Sequence, residues 1–409
     1  MKLQGTPHAT LLSLFSGAGG MDLGLEYAGF ETQACIELDR NARRTLALNR
    51  RNWLLYEPTD VSEAAETLRP KGIGLRKGQL DLLVGGPPCQ PFSMAAQWNS
   101  GSRLGMEDPR AQALHGMIRL IGEFRPRAIL LENVAGFLSG PVSALPHLQA
   151  GLDDINRRLG TSYRLDVAVL DAADYGVPQH RRRAIAVARR DGKSFRFPAP
   201  THDSKPITAW DALADLSSPG AASPSGSWTE LLPSIPEGSN YLYLTAKGGG
   251  PELFGWRTRY WSFLLKLAKA RPSWTLPANP GPNTGPFHWD NRPLTLRERM
   301  RLQSFPDGWS LTGTDRNQIK LVGNATPPLL AEVLGRELVR QMGLGSSQFR
   351  RSLTATGPQL LLTHRDDCPA AAEPKPLPAR FAPRVGARLA HPGTGRGPKP
   401  RTEAVELSA

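Results

Sequence analysis

From Thr10 to about Arg190 one pattern repeats along the chain: a short apolar run ends in Gly, Pro or an acid, and a segment with helical spacing follows. The runs are TLLSLF, TQACIEL, LDLLV, AILL, LDVAVL and AIAVA, and MDLGLEYAG, RNARRTLALNR and LHGMIRLIGEF lie between them. Short apolar runs bounded by turn residues read as buried strands, and strands alternating with helices build βαβ units around a parallel sheet. The expected fold class is therefore α/β. In open sheets of this kind ligands bind just outside the carboxyl ends of the strands, so the residues there are the first candidates for function.

The pattern stops near Arg190. From there to Trp289 the chain is rich in Pro, Gly, Ser and Trp, with six of the nine tryptophans, and an irregular second region over 190–289 is expected. Within it, RYWSFLLKLAKA is the one stretch with helical spacing, and Lys266 and Lys269 fall beside its apolar stripe. Order returns after Arg292, with helices expected in RPLTLRERMRLQ and PPLLAEVLGRELVRQM, so 290–343 rejoins the first domain of 1–189. Residues 344–409 are basic, rich in Pro and Arg and without period, the composition of a largely disordered tail.

Charge and cysteine usage narrow the setting. Lys and Arg number 50 against 37 Asp and Glu, a formal net charge of +13, which favours a polyanionic partner. Three cysteines at wide, irregular spacing make neither a disulfide framework nor a zinc site, so a reducing cytoplasm and no metal are expected. LLSLF is too short for a signal peptide and no run of 18 apolar residues occurs, so no membrane association is expected.

Four strand ends carry chemistry. FSGAGG, from Phe15 to Gly20, follows the first strand and opens a helix, leaving backbone N–H groups free for a ligand that approaches where Cβ atoms are missing. Glu37 ends the next strand about twenty residues on, where an acid accepts from ribose hydroxyls; by itself this pair fits a dinucleotide as readily as S-adenosylmethionine. Asp60 follows another short loop and is placed to accept from an adenine amino group. LDLLVGGPPCQPFS sets Cys89 just past a buried strand on a loop stiffened by three prolines, beside polar Gln90 and Ser93, which suits an exposed and positioned thiol better than a core one. AILLENV delivers Glu132 to the same edge, where desolvation favours its protonated form.

With these residues in place the sequence strongly resembles the cytosine-C5 DNA methyltransferase family. FSGAGG, GGPPCQPFS, ENV, QHRRR, RPLTLRERMRLQSFPD and GNATPP occur in the family's order and frame nearly everything from residue 10 to residue 342. The resemblance implies a Rossmann-like S-adenosylmethionine-dependent methyltransferase sheet with a smaller irregular target-recognition domain, placed in 190–289. It implies that Phe15, Gly17, Gly19 and Gly20 line the pocket for S-adenosyl-L-methionine, that Glu37 holds its ribose, and that Asp60 and Val61 meet its adenine. Pro87 to Ser93 become the catalytic loop, with Pro87 against the cofactor, Cys89 as nucleophile, and Gln90 and Ser93 beside the substrate. Glu132 takes the N3 edge of the cytosine. Gln179, Arg181 and Arg183 match a QxRxR pattern whose arginines fix the loop and the base, and Asn324 completes the cofactor pocket.

The implied reaction is methyl transfer to C5 of a flipped-out cytosine in a specific duplex sequence, through a covalent bond between Cys89 and C6. The implied partner is double-stranded DNA, with Arg257, Arg259, Lys266, Lys269 and Arg271 as candidate phosphate contacts. A monomer is expected, acting as the modification enzyme of a restriction–modification pair with a cognate endonuclease, or as an unpaired regulatory methylase. The competing readings are a tRNA cytosine-5 methyltransferase of the same family and a catalytically silent DNA-binding protein. The intact Cys89, Glu132 and arginine pattern argues against the silent one.

Overall fold

The computed structural model describes residues 9–87, 112–137, 143–217, 221–255, 261–387 and 389. Its strands are β1 (Ala9–Leu14), β2 (Phe30–Ile36), β3 (Leu54–Leu55), β4 (Leu82–Gly85), β5 (Ala128–Asn133), β6 (Leu165–Asp171) and β7 (Arg182–Arg189). The helices among the described residues are α1 (Gly20–Tyr27), α2 (Arg40–Asn49), α3 (Val61–Thr67), α4 (Gln112–Phe124), α5 (Leu145–Leu159), α6 (Ala209–Leu213), α7 (Leu296–Leu302), α8 (Asp315–Asn324), α9 (Pro328–Met342) and α10 (Ser347–Thr356). None of them is long and apolar enough to cross a membrane.

One seven-stranded sheet runs β3-β2-β1-β4-β5-β7-β6. The strands from β3 to β5 pair in parallel, as the alternating pattern requires, but β7 is antiparallel to both β5 and β6. The α/β fold holds, and the parallel pairing of the expected sheet is corrected at β7 alone. Only residues 172–181 separate β6 from β7, fewer than the dozen or more that a parallel crossover needs.

Strand alternation divides the core between the two sheet faces. In β1, Leu12 and Leu14 face one side, with Leu83, Ile129 and Leu131, and pack on α4 and α5 through Met117, Ile121, Leu148 and Ile155. Leu11 faces the other side with Val84, Leu130 and Val187, against Leu25 of α1 and Leu330, Leu334 and Leu338 of α9.

The irregular region has an aromatic core of its own, containing Leu231, Tyr241, Phe254, Phe263 and Phe287. The helix expected in RYWSFLLKLAKA does not form over the described residues 261–270. Their N–H groups are spent elsewhere: Leu264 N donates to Asn283 O at 3.0 Å, Lys266 N to Ser239 O at 2.9 Å and Leu267 N to Phe287 O at 2.8 Å. Leu264 also sits at φ 52°, outside helical space.

The expectation of a structureless tail is likewise corrected for 344–387. The chain forms α10, buries Phe349 and Leu353 in the core shared with α1 and α9, and places Phe381 in the aromatic core of the irregular region. Composition alone hid this, because Leu344, Phe349, Leu353 and Phe381 are the few buried apolar anchors of a long polar stretch.

Candidate active site

The strand ends converge on one cavity of about 950 Å³. Its first wall is the loop after β1. Phe15 N donates to Ile36 O at 2.8 Å and Gly17 N donates to Glu37 Oε2 at 2.7 Å, which ties the loop to the end of β2. Gly17 takes φ 55°, a left-handed conformation open to glycine at no steric cost, and the loop shares that space with Phe15 at φ 57°. Phe15 and Gly17 line the cavity. Gly20 stands behind the loop: a Cβ on it would lie 2.2 Å from Thr326 O. Gly19 likewise lets Trp309 approach, and Trp309 Nε1 donates to Ala18 O at 3.0 Å. These two glycines shape the pocket from outside and do not line it.

Glu37 is buried at the cavity wall, and its second oxygen accepts from Asp39 N at 2.7 Å. Burial pushes its carboxyl above the ordinary value, while the N–H bonds from Asp39 and Gly17 oppose the shift. Asp60 caps α3 by accepting from Ser62 N at 2.7 Å, and Asp60 and Val61 form the next stretch of wall. Across from them Asn324, at the end of α8, lines the cavity together with Lys320. Sequence reasoning missed Lys320. It lies one helical turn before Asn324 and pairs with Asp39 at 3.5 Å, and an i, i+4 reading from Asn324 could have found it.

The other end of the cavity is built by β4, β5 and β7. Glu132 is 8% exposed. The β5–β7 register sets it opposite Ile185, and Arg183, two residues before, brings its Nε to 2.8 Å from Glu132 Oε1. Burial of Glu132 is thus accompanied by a guanidinium partner. Asn133, also missed in the sequence, donates from Nδ2 to Pro87 O at 2.9 Å, and a Cβ on Gly86 would lie 3.4 Å from Glu132 O. The root of the proline-rich loop is thereby fixed against the acid, with Pro87 in the cavity wall. Cys89, Gln90 and Ser93 lie outside the described residues, as do Arg257 and Arg259.

Arg181 is 1% exposed; its N donates to Asp171 Oδ1 at 2.8 Å and its Nη2 to Gly323 O at 3.0 Å, which joins the QHRRR segment to GNATPP. Between them His180 Nδ1 lies 3.2 Å from Asp171 Oδ2, and that bond raises the imidazole above its ordinary value.

Gln179, a candidate beside the substrate, and Lys266 and Lys269, candidate phosphate contacts, have side chains engaged inside the protein. Gln179 is fully buried, donating to Leu302 O at 3.1 Å and to Gln303 Oε1 and accepting from Leu276 N at 3.1 Å, so it is a tie between segments. Lys266 is 5% exposed and donates to Leu232 O and Asn291 Oδ1; burial pushes it down to about 8. Lys269 is buried against Glu237. In each case the side chain answers an internal need for a donor, which spacing in the sequence does not reveal. Arg271 is exposed and stays available.

A family model described as C-5 cytosine-specific DNA methylase matches residues 9–340. Type II methyltransferase M.SacI of Streptomyces achromogenes is 37% identical, over 81% of this chain and 93% of that protein. Type II methyltransferase M.NgoMIV of Neisseria gonorrhoeae is 32% identical, over 81% of this chain and 98% of its own length. Among solved structures, that of the S. pombe Dnmt2 methyltransferase superposes with a TM-score of 0.54 at 18% identity, over 82% of this chain and all of that one, a likeness of fold.

Proposed function

The chain belongs to the C-5 cytosine-specific DNA methylase family, and from that premise we propose how its residues methylate carbon 5 of cytosine in duplex DNA. The observation that carries the proposal is the continuity of the cavity: the glycine loop, Glu37 and Asp60 share one void with Pro87, Glu132 and Arg183. A methyl donor and a base can meet there without either leaving the protein.

The first end of the cavity fits S-adenosylmethionine. Glu37 offers a buried carboxyl suited to a ribose diol, Asp60 and Val61 offer an acceptor beside an apolar wall suited to adenine, and Phe15, Gly17 and Asn324 surround the remaining space. When bound there, S-adenosylmethionine supplies the electrophilic methyl group that C5 takes up.

Carbon 5 of cytosine is too weakly nucleophilic to react unaided. Cys89, on the loop rooted at Pro87, adds as a thiolate to C6, and the C5–C6 π pair shifts toward C4 and N3. Glu132 passes a proton to N3 as negative charge develops there, which leaves an enamine nucleophilic at C5. Arg183 orients Glu132 by holding its Nε 2.8 Å from Oε1, which leaves Oε2 to carry the proton that N3 receives. After methylation a base takes the C5 proton, the C6–S bond breaks, and N3 returns its proton. Attack on the face of C6 requires the cytosine to leave the stack, and the Glu132 end of the cavity is where it is received. Residues 190–289 are assigned to target recognition. The type II methyltransferases among its relatives support a place in a restriction–modification pair.

The test is methyl transfer from labelled cofactor to duplex DNA and, in parallel, to tRNA, followed by digestion to nucleosides. Label in 5-methylcytosine from DNA is expected. Label only in tRNA, or in an exocyclic methylamino group, would overturn the reading.

A further inference from the structure

The family match ends at residue 340, yet the chain beyond it is tied into the molecule at four successive places. Gln359 N and Leu360 N donate to the two oxygens of Glu332, a fully buried carboxylate of α9, at 2.7 and 3.0 Å. Arg365 N donates to Asp211 Oδ1 at 2.6 Å, and Trp210 Nε1 donates to Asp367 Oδ1 at 2.9 Å, so the chain next grips α6. Residues 365–373 cross the surface exposed. Lys375 N then donates to Pro233 O at 2.8 Å and Ser234 Oγ to Pro376 O at 2.9 Å. Finally Phe381, 3% exposed, stacks on Trp228 with ring centres 5.7 Å apart, and Gly386 N and Leu389 N donate to Glu252 O and Leu253 O.

The first tie lies on α9 of the catalytic sheet, the second on α6, the part of 190–289 whose Ala209, Ala212 and Leu213 pack with Leu23, Met300 and Phe305, and the last two in the aromatic core around Phe254 and Phe263. We propose that residues 359–387 are a strap that completes the recognition region and fixes it against the catalytic domain, with Phe381 as a positioning residue for target DNA. The proposal rests on the assignment of 190–289 to recognition. Without the strap, Glu332 and Asp211 lose N–H partners, and the aromatic core loses one of its buried rings. The region that must meet DNA at a set distance from Glu132 is then held by fewer contacts. Binding of the duplex suffers, while the chemistry at Glu132, whose partners are all elsewhere, does not.

The experiment uses the full chain. A protease site replacing Ala370–Ala372 is cut in the folded protein: the fragment from Glu373 onward should co-elute with the rest on gel filtration, with activity retained. In a second protein, Phe381→Ala should raise KM for target duplex at least tenfold, leave kcat within threefold and cofactor affinity unchanged, and open new protease cuts within 221–287; Phe381→Leu should restore most of the KM. Release of the nicked fragment would overturn the strap, even if Phe381→Ala failed to fold. So would an unchanged KM without new cuts. New cuts with an unchanged KM would instead overturn the assignment of 190–289 to recognition.

Discussion

Replacing Asp22 with Asn removes an ionisable group from directly beneath the cofactor loop. Asp22 sits on the first turn of α1 and is fully buried; its Oδ1 accepts from Cys35 Sγ at 3.8 Å, and its Oδ2 has no hydrogen-bond partner among the described residues. Burial pushes the carboxyl from 3.8 up to about 6, and the nearby polar groups of Ser13, Cys35 and its own backbone pull the other way without cancelling the shift. The sign of the pH effect follows. Well below pH 4 the group is protonated in both folded and unfolded chains and costs nothing. As the pH rises toward 6 the unfolded chain releases its proton while the folded chain keeps it, so stability falls. Above that the native state carries the whole penalty, on the order of 3 kcal/mol. For a chain of this size, with an unfolding entropy of roughly 0.9 kcal/mol per kelvin, the penalty corresponds to roughly 3–4 °C in Tm. An unpaired amide nitrogen in the variant has its own cost, but one that does not vary with pH. Thermal melts of both proteins at pH 4 and pH 8 in the same salt should therefore show the difference between Asp22→Asn and wild type growing by most of that amount in favour of the variant. A constant difference would refute the electrostatic reasoning.

Glu132→Gln should lower kcat by on the order of 10²–10⁴, the usual contribution of a positioned acid, with KM for DNA nearly unchanged; steady-state kinetics that move mainly KM would contradict the acid role. Gly20→Ala drives a methyl group to within 2.2 Å of Thr326 O, so calorimetry should find S-adenosylmethionine bound at least tenfold more weakly, and an unchanged affinity would show that the loop and GNATPP need not touch. Duplex affinity should fall steeply with salt: if about six phosphates are neutralised, roughly 10³-fold between 50 and 200 mM. A flat salt dependence would remove the electrostatic account of DNA binding.

The strands and the cofactor loop were legible in the sequence because each rests on a local rule. Leu11, Leu12 and Leu14 alternate between two cores, and the turn at Gly17 asks for the backbone freedom that FSGAGG supplies. Residues meeting across long separations were not legible. Nothing near Arg183 announces that β7 runs antiparallel to β5 and so carries it to Glu132, and nothing near Asn133 announces Pro87. Charge misled where a lysine was buried: Lys266 and Lys269 look like phosphate contacts until Asn291 and Glu237 are seen beside them. The tail misled for the converse reason, since a strap held by backbone N–H groups on Glu332 and Asp211 leaves no periodic pattern to read.

The central claim is a covalent Cys89–C6 adduct, and duplex DNA carrying 5-fluorocytosine at the target tests it directly. Fluorine occupies the position whose proton must leave after methylation, and it cannot depart as a cation, so the adduct stalls with the sulfur still on C6. A denaturing gel should show a shifted band that requires S-adenosylmethionine and disappears in Cys89→Ala. No band on DNA that is known to be methylated, or a band that persists without Cys89, would contradict the mechanism.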